Sequence, residues 1–332
     1  MNKILITGGS GYIGSHTALK LAEYGYEPVL FDNLSNSNAA VLDRLEALLG
    51  RRPEFHIGDI LVKEDLYKLF DQHEFEAVIH FAGCKAVAES VELPLKYYLN
   101  NVVGSVNVLD VMQQFGCKKF VFSSSCTVYG QAEAVPVFET SELTPLNPYG
   151  RSKLAVEEVL QDIVSSDDGW KISILRYFNP GGAHSSGLLS ENPLGKPNNL
   201  LPFIAQVAAG RQEELLVFGG DYDTPDGTGI RDYIHVMDVA DAHVKVIERQ
   251  EKTLEIFNIG IGQGYSVLEI IRSFEEVNSL KIPFRIVSRR NGDVARCYAN
   301  SNKIKRVLNW TPHFDLNDIM RDLWNARNAE SI

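Results

Sequence analysis

The sequence predicts an α/β protein: a doubly wound parallel sheet with a second, smaller mixed α/β domain. Two observations carry that expectation. Short β-branched runs alternate with amphipathic, helix-length stretches through the first half of the chain, and the runs are apolar almost throughout, as strands covered on both faces are. After Tyr177 the texture changes to stretches rich in Pro, Gly, Asn and Asp, the composition of loops.

The strand candidates, in order, are Lys3–Thr7, Pro28–Asp32, Phe55–Gly58, Ala77–Phe81, Lys119–Ser123 and Ile172–Tyr177. Between them, Ile13–Tyr24, Ala40–Leu49, Leu66–Gln72 and Leu95–Gln114 repeat apolar residues at helical spacing, and a further helix begins near Tyr149. Residues 179–233 are loop-heavy, with short apolar inserts at Pro202–Ala209 and Leu215–Phe218. A helix at Val236–Arg249 and a strand at Ile256–Ile259 return to the earlier pattern. The expected division is a sheet domain of 1–178 plus 234–260, and a second domain of 179–233 plus 261–332.

The chain has 332 residues with 32 Lys+Arg against 43 Asp+Glu, a net charge of −11. That balance argues against a nucleic-acid or membrane-surface binder, because both need a basic face. An anionic small ligand would need local Arg or Lys. Cys84, Cys117, Cys126 and Cys297 are scattered without a CxxC, which suits a reducing compartment. No apolar run approaches the ~20 residues that span a bilayer, and the opening MNKILITGG is too short for a secretory signal. A cytoplasmic protein is expected.

Gly8-Gly9-Ser10-Gly11-Tyr12-Ile13-Gly14 follows the first strand and opens the first helix. Gly8, Gly11 and Gly14 form a GxxGxxG, a variant of the dinucleotide fingerprint. Such a loop gives a tight turn, close backbone approach to a pyrophosphate, and a helix N-terminus aimed at it. A glycine triplet alone also fits an ordinary turn. The second strand, however, ends in Asp32, 18 residues beyond Gly14, where an acid bonds the adenosine ribose 2′-hydroxyl and would repel a 2′-phosphate. NAD is therefore favoured over NADP.

Asn147 and Pro148 read as the cap and first residue of a helix. That places Tyr149 and Lys153 at i and i+4 on one face. A free Tyr titrates near ~10; a neighbouring ammonium and the nicotinamide charge would favour its phenolate. YxxxK alone is common on solvated helices. Here it follows KFVFSSS, whose last serine, Ser125, falls at the carboxyl edge of the sheet where ligands of α/β proteins bind.

With these residues in place, the sequence resembles the extended short-chain dehydrogenase/reductase superfamily and, within it, the UDP-galactose (UDP-glucose) 4-epimerase family. The resemblance spans essentially the whole chain through GGSGYIGSHT, DNLSNS, GDI, HFAGCKAV, YYLNNV, FSSSCTVYG, PYGRSK, LRYFNPGGAH, PNNLLP, DGTGIRDYIHVMDVAD and RRNGDVA. It implies a Rossmann-type NAD-binding domain and a UDP-sugar-binding domain. NAD contacts are implied at Gly8, Gly11, Tyr12, Ile13, Gly14, Asp32, Asn33, Leu34, Ser35, Asn36, Ser37, Asp59, Ile60, Phe81, Ala82, Gly83, Cys84, Lys85, Asn100, Ser125, Tyr149, Lys153 and Phe178. UDP-sugar contacts are implied at Lys85, Ser125, Tyr149, Asn179, Asn199, Leu200, Leu216, Val217, Phe218, Arg231, Arg290, Asp293 and Cys297. Arg231 and Arg290 would supply the local cations that an acidic protein needs for a pyrophosphate.

The implied reaction oxidises the sugar at C4, rotates the 4-keto sugar and reduces it on the other face. Tyr149, Lys153 and Ser125 would be catalytic and NAD would be retained. The position of Cys297 shapes the sugar pocket in this family. A small residue there implies acceptance of N-acetylhexosamines beside UDP-galactose, although buried Cys is often only filler. A 4,6-dehydratase would carry acids where Ser125-Cys126-Thr127 stands. A hexuronic-acid epimerase is the closer rival, and an NAD-binding sensor the remaining one. No HxH or HExxH occurs, so no metal is expected, and His80 reads as a satisfied core residue. The resemblance also implies a homodimer through two helices per subunit; apolar residues in Leu95–Met112 and Leu154–Ile163 suit that or packing on the sheet.

Overall fold

The computed structural model describes residues 2–132, 134–192, 199–290 and 292–329. Pro197 and Asn198 of PNNLLP and Asn291 of RRNGDVA lie outside them. The chain forms two compact units: Met1–Gly130 with Leu143–Tyr177 and Ala240–Phe257, and Gln131–Glu142 with Phe178–Val239 and Asn258–Ile332.

The first unit runs β1 (Lys3–Thr7), α1 (Tyr12–Glu23), β2 (Glu27–Asp32), α2 (Ala40–Leu49), β3 (Glu54–Ile57), α3 (Lys63–Gln72) and β4 (Ala77–His80). It continues with α4 (Val87–Glu92), α5 (Pro94–Tyr97), a π-helical stretch (Tyr98–Val103), α6 (Gly104–Gln114) and β5 (Lys119–Ser125). A 3₁₀ turn (Cys126–Tyr129), α7 (Pro148–Ser166) and β6 (Lys171–Tyr177) complete it up to the second unit. The stretch expected as one helix over Leu95–Gln114 therefore carries a π-helical interruption. The sheet has seven strands in the order β11-β6-β5-β4-β1-β2-β3, and every pairing from β3 across to β6 is parallel.

Strand order reverses between β1 and β4, whose last residues Thr7 and His80 are register partners. The carboxyl ends of two such diverging strands leave the crevice in which doubly wound folds bind ligands. Below it the core is continuous: Leu5, Val29, Val78, Phe120 and Ile172, one from each central strand, meet Leu66, Val108 and Leu160 from the helices. The near-unbroken apolar runs are explained by this two-sided burial.

The second unit contains β7 (Asn179–Gly181), α8 (Leu200–Ala208), β8 (Leu215–Phe218), β9 (Ile230–Arg231) and β10 (Tyr233–His235). The helix α9 (Val236–Arg249) then returns the chain to the first unit, where β11 (Leu254–Ile259) joins the large sheet. β12 (Tyr265–Ser266), α10 (Val267–Asn278), β13 (Phe284–Val287), β14 (Arg296–Cys297), α11 (Asn302–Leu308) and α12 (Leu316–Ala329) follow. Short sheets β10-β7, β12-β9-β14 and β13-β8 sit with a separate core that includes Leu201, Ile204, Ile270, Phe274, Ile319 and Met320. Gln131–Glu142 joins this unit because Val137 bridges Ala299 and exchanges backbone bonds with Tyr298 and Asn300, both at 2.8 Å. Asn258 Nδ2 also donates to the Val137 carbonyl at 2.8 Å.

His80 is buried between the Thr7 hydroxyl, 2.6 Å from Nδ1, and the Ser105 hydroxyl, 2.9 Å from Nε2. Burial, reinforced by the Lys153 charge, pushes its pKa down from 6.5 to about 3. The unfolded chain therefore takes up this proton first, and the stability tied to neutral His80 is lost as pH falls from 6.5 toward 3. Lowering pH from 6.5 to 5 should cost about 2 kcal/mol through this residue alone. Urea unfolding of wild type and His80→Gln across that range checks it; an equal fall in both proteins contradicts the assignment.

Candidate active site

In the first unit the glycine loop is built for close approach. Gly8 has φ 69°, and a Cβ there would stand 2.7 Å from the Ala82 amide nitrogen. A Cβ at Gly14 would stand 2.3 Å from the Gly8 carbonyl oxygen, so α1 can begin against the loop only with glycine. The start of α1 has Gly11 as an extended N-cap, no side-chain cap and no acid in its first turn. That leaves an N-terminal dipole shaped for an anion. Asp32 ends β2 beside it. Its Oδ2 accepts the Ser10 amide at 3.2 Å, and its Oδ1 accepts the Leu34 amide at 2.8 Å and the Ser37 hydroxyl at 3.0 Å. Leu34 takes φ 57° in that turn.

The other expected NAD residues of this unit gather on the same carboxyl edge. Asp59 accepts from Asn33 Nδ2 at 3.0 Å and from the Leu61 amide at 2.8 Å. Phe81 and Ala82 donate their amides to the Thr7 carbonyl. Ile60 is 4% exposed, so its side chain belongs to the core. Asn101, which the motif reading passed over in favour of Asn100, fixes the next loop. Its Oδ1 accepts the Cys84 amide at 2.8 Å, and its Nδ2 donates to the Cys84 carbonyl and to Ser152 Oγ, both at 3.0 Å. A buried Asn in an otherwise apolar helical stretch was the available signal, since buried amides need partners. The glycine cradle, the uncapped helix start and the strand-end acid together fit an adenine dinucleotide.

Asn147 caps α7 as expected, its Oδ1 accepting the Gly150 amide at 2.9 Å, with Pro148 in the first turn. Tyr149 and Lys153 follow on one face. Ser125, at the end of β5, has a hydroxyl near enough to Tyr149 to lower its pKa, and Ser125 Oγ accepts the Thr127 amide at 3.2 Å. Tyr97 packs edge-on against the Tyr149 ring at 6.4 Å. Lys153 is buried, donates to the Ser123 carbonyl at 2.8 Å and lies 4.8 Å from the Phe122 ring centroid.

The expected depression of the Tyr149 pKa by Lys153 is not what the protein chain alone produces. Burial pushes the phenol up to about 12, while the Ser125 hydrogen bond pulls the other way. Burial also pushes Lys153 down to about 8, opposed by Cys84 and Glu157. Desolvation acts on both members, and the ammonium is engaged by a β5 carbonyl.

The second unit holds the remaining candidates. Asn179 donates its amide and Nδ2 to the Asp232 carbonyl at 3.0 and 2.9 Å. Asp232 donates its amide to the Cys297 carbonyl, and Cys297 is the register partner of Arg231. The Asp232 carboxylate is enclosed and accepts the amides of Ile261, Gly262 and Ala299 at 2.9 to 3.1 Å. Asn179, Arg231 and Cys297 are thus gathered around one buried residue that the motif reading did not single out. Arg290 stacks over the Phe218 ring at 4.7 Å, and its Nε donates to Asp293 at 3.0 Å. Val217 and Cys297 are 1% and 6% exposed and Leu216 40%, so Val217 can offer little but backbone. Asn199 stands at the N-cap of α8, followed by Leu200, and Phe178 donates its amide to the Ile259 carbonyl.

Among the described residues one cluster has metal-ligand character: Glu54, His56 and His73. Lys3 Nζ stands 2.9 Å from His73 Nδ1 and 3.4 Å from Glu54. An ammonium donating to Nδ1 leaves the ring proton on Nε2, toward Glu54 Oε1 at 2.9 Å. The cluster reads as an ion-pair group at the amino edge of the sheet.

A parallel sheet with a dinucleotide cradle at its switch point and a Ser–Tyr–Lys set at the next strand end defines a dehydrogenase-type, dinucleotide-dependent enzyme. Residues 4–260 match the NAD dependent epimerase/dehydratase family, and the chain belongs to that family and, within it, to the UDP-glucose 4-epimerases. It is 52% identical over 328 residues to UDP-glucose 4-epimerase 2 of Arabidopsis thaliana, covering 97% of this chain and 94% of the relative. It is 50% identical to the UDP-glucose 4-epimerase of Bacillus subtilis, covering 98% and 97%. The crystal structure of the Stenotrophomonas maltophila UDP-glucose-4-epimerase, with bound NAD and formylated UDP-arabinopyranose, is 46% identical. It superposes with a TM-score of 0.97 over 100% of this chain and 99% of that one. The Bifidobacterium longum enzyme in complex with NAD+ and UDP is 43% identical, with a TM-score of 0.97 over 99% of each chain.

Proposed function

We propose that this chain interconverts UDP-galactose and UDP-glucose by oxidation at C4, rotation of the keto sugar and re-reduction, retaining its NAD. The observation that carries the reading is the set of Ser125 at the end of β5 with Tyr149 and Lys153 one turn apart at the start of α7. NAD, when bound, supplies the hydride acceptor and donor for C4 and a positive charge near the phenol. The loop at Gly8, Gly11 and Gly14 would hold its pyrophosphate, and Asp32 the adenosine ribose. Tyr149 takes the proton from the sugar O4 and later returns it. Ser125 orients O4 toward the phenol, and Lys153 holds positive charge beneath it. In the second unit, Arg231 and Arg290 face the diphosphate and Phe218 the uracil. Asn179, Asn199, Leu200, Leu216, the Val217 backbone and Asp293 complete that grip. Incubation with UDP-galactose must form UDP-glucose, read by a UDP-glucose-specific dehydrogenase; none formed, even with NAD added, removes the reading.

The small, enclosed Cys297 favours a pocket that also takes the N-acetylhexosamines. Cys297→Tyr is expected to lower activity on UDP-GalNAc by about 10- to 10²-fold, the span that a steric clash of about 1–3 kcal/mol covers, and to leave UDP-galactose turnover within about threefold. Equal losses on both sugars contradict it. A homodimer is supported by the apolar stripe of Val91, Leu95, Leu99, Val103 and Val106, which are 64, 75, 55, 44 and 40% exposed along α4 to α6. Sedimentation of the wild type against Leu95→Glu tests this, a monomeric wild type ruling it out. Among the described residues no helix is long and apolar enough to cross a membrane; a cytoplasmic setting agrees with the four scattered cysteines.

A further inference from the structure

We infer that Glu157 and Arg176 form a buried positioning pair that fixes Ser125 relative to Tyr149, an inference that rests on the reading of those two as the reacting groups. Glu157 lies on α7, two turns beyond Tyr149 and one beyond Lys153, and is fully buried. Its Oε1 accepts the Ser124 hydroxyl at 2.5 Å and Arg176 Nε at 3.0 Å; its Oε2 accepts Arg176 Nη2 at 2.5 Å. Arg176, 1% exposed, is the register partner of Ser124 across β5 and β6. Its Nη1 donates to the Tyr129 hydroxyl at 2.9 Å.

One carboxylate and one guanidinium thereby fasten Ser124, which precedes Ser125 on β5, and Tyr129, the last residue of the 3₁₀ turn that Ser125 caps. The same carboxylate belongs to the helix that carries Tyr149. Burying two charges costs several kcal/mol per ion, and a well-packed apolar pair of similar volume is often as stable or more so. Stability alone therefore does not call for this pair. What the charges add is direction, because the planar fork of Arg meets the carboxylate in one geometry. Misplacing reacting groups by about 1 Å can cost about 10²-fold in rate, and the two side chains together link α7, β5, β6 and the turn.

The test is the double variant Glu157→Leu/Arg176→Met, purified as NAD-loaded enzyme and assayed on UDP-galactose beside the wild type. The positioning role predicts a kcat per NAD-loaded site about 10- to 100-fold below wild type, with KM within about twofold. A kcat per loaded site equal to wild type overturns the inference. So does a loss carried by KM with kcat intact. Ser124→Ala keeps the ion pair and removes one tie, so it serves should the double variant not fold. It is expected to lower kcat about 3- to 10-fold at unchanged NAD content, and wild-type kcat in it overturns the inference equally. Inactive wild type removes the epimerase reading; active wild type beside an unaffected variant removes the positioning role alone.

Discussion

Tyr149→Phe is expected to lower kcat by about 10²- to 10⁴-fold, the range that a positioned acid–base group supplies. The variant loses one oxygen and keeps the ring, so packing against Tyr97 and the α7 cap at Asn147 persist. NAD content and UDP affinity should stay near wild type. The effect is large because the proposed reaction gives the sugar proton to Tyr149, while the neighbouring Lys153 is buried and donates to the Ser123 carbonyl. Initial rates per NAD-loaded site decide it, and near-normal turnover contradicts the assignment of Tyr149.

Gly14→Ala is the second large effect. The added Cβ would stand 2.3 Å from the Gly8 carbonyl oxygen and 2.9 Å from Gly9 Cα, both backbone atoms that cannot swing away. Relief requires moving the loop or the start of α1, at about 1–3 kcal/mol for overpacking. Either movement spoils the surface that meets the pyrophosphate. The variant should purify with little NAD and show little turnover unless NAD is added in excess. Full NAD occupancy in Gly14→Ala, measured by cofactor released on denaturation, contradicts the role given to this loop.

What could be read from the sequence followed from local physics. The alternation of apolar runs with amphipathic stretches gave the sheet because each strand is covered on both faces. Asn147-Pro148 located the start of α7 because a cap is a property of adjacent residues. Contacts between distant residues could not be read in this way. Glu157 and Arg176 are charges on different elements, and nothing in either one's neighbourhood marks it as fully buried. Asp232 organises Asn179, Arg231 and Cys297 through main-chain atoms, which leave no pattern in side-chain order. The two-residue strands β9, β12 and β14 are shorter than any period that could reveal them. Gln131–Glu142 joined the second unit through backbone bonds of Val137 that its composition does not signal.

The central claim is that this chain carries its own NAD and epimerises at C4. Purified protein incubated with UDP-galactose, no cofactor added, and followed through the anomeric proton signals by NMR tests it most directly. The galactose signal should decay and the UDP-glucose signal grow to a fixed equilibrium ratio, with no net change in the nicotinamide oxidation state. An unchanged UDP-galactose signal, both without cofactor and after NAD is supplied, would contradict it.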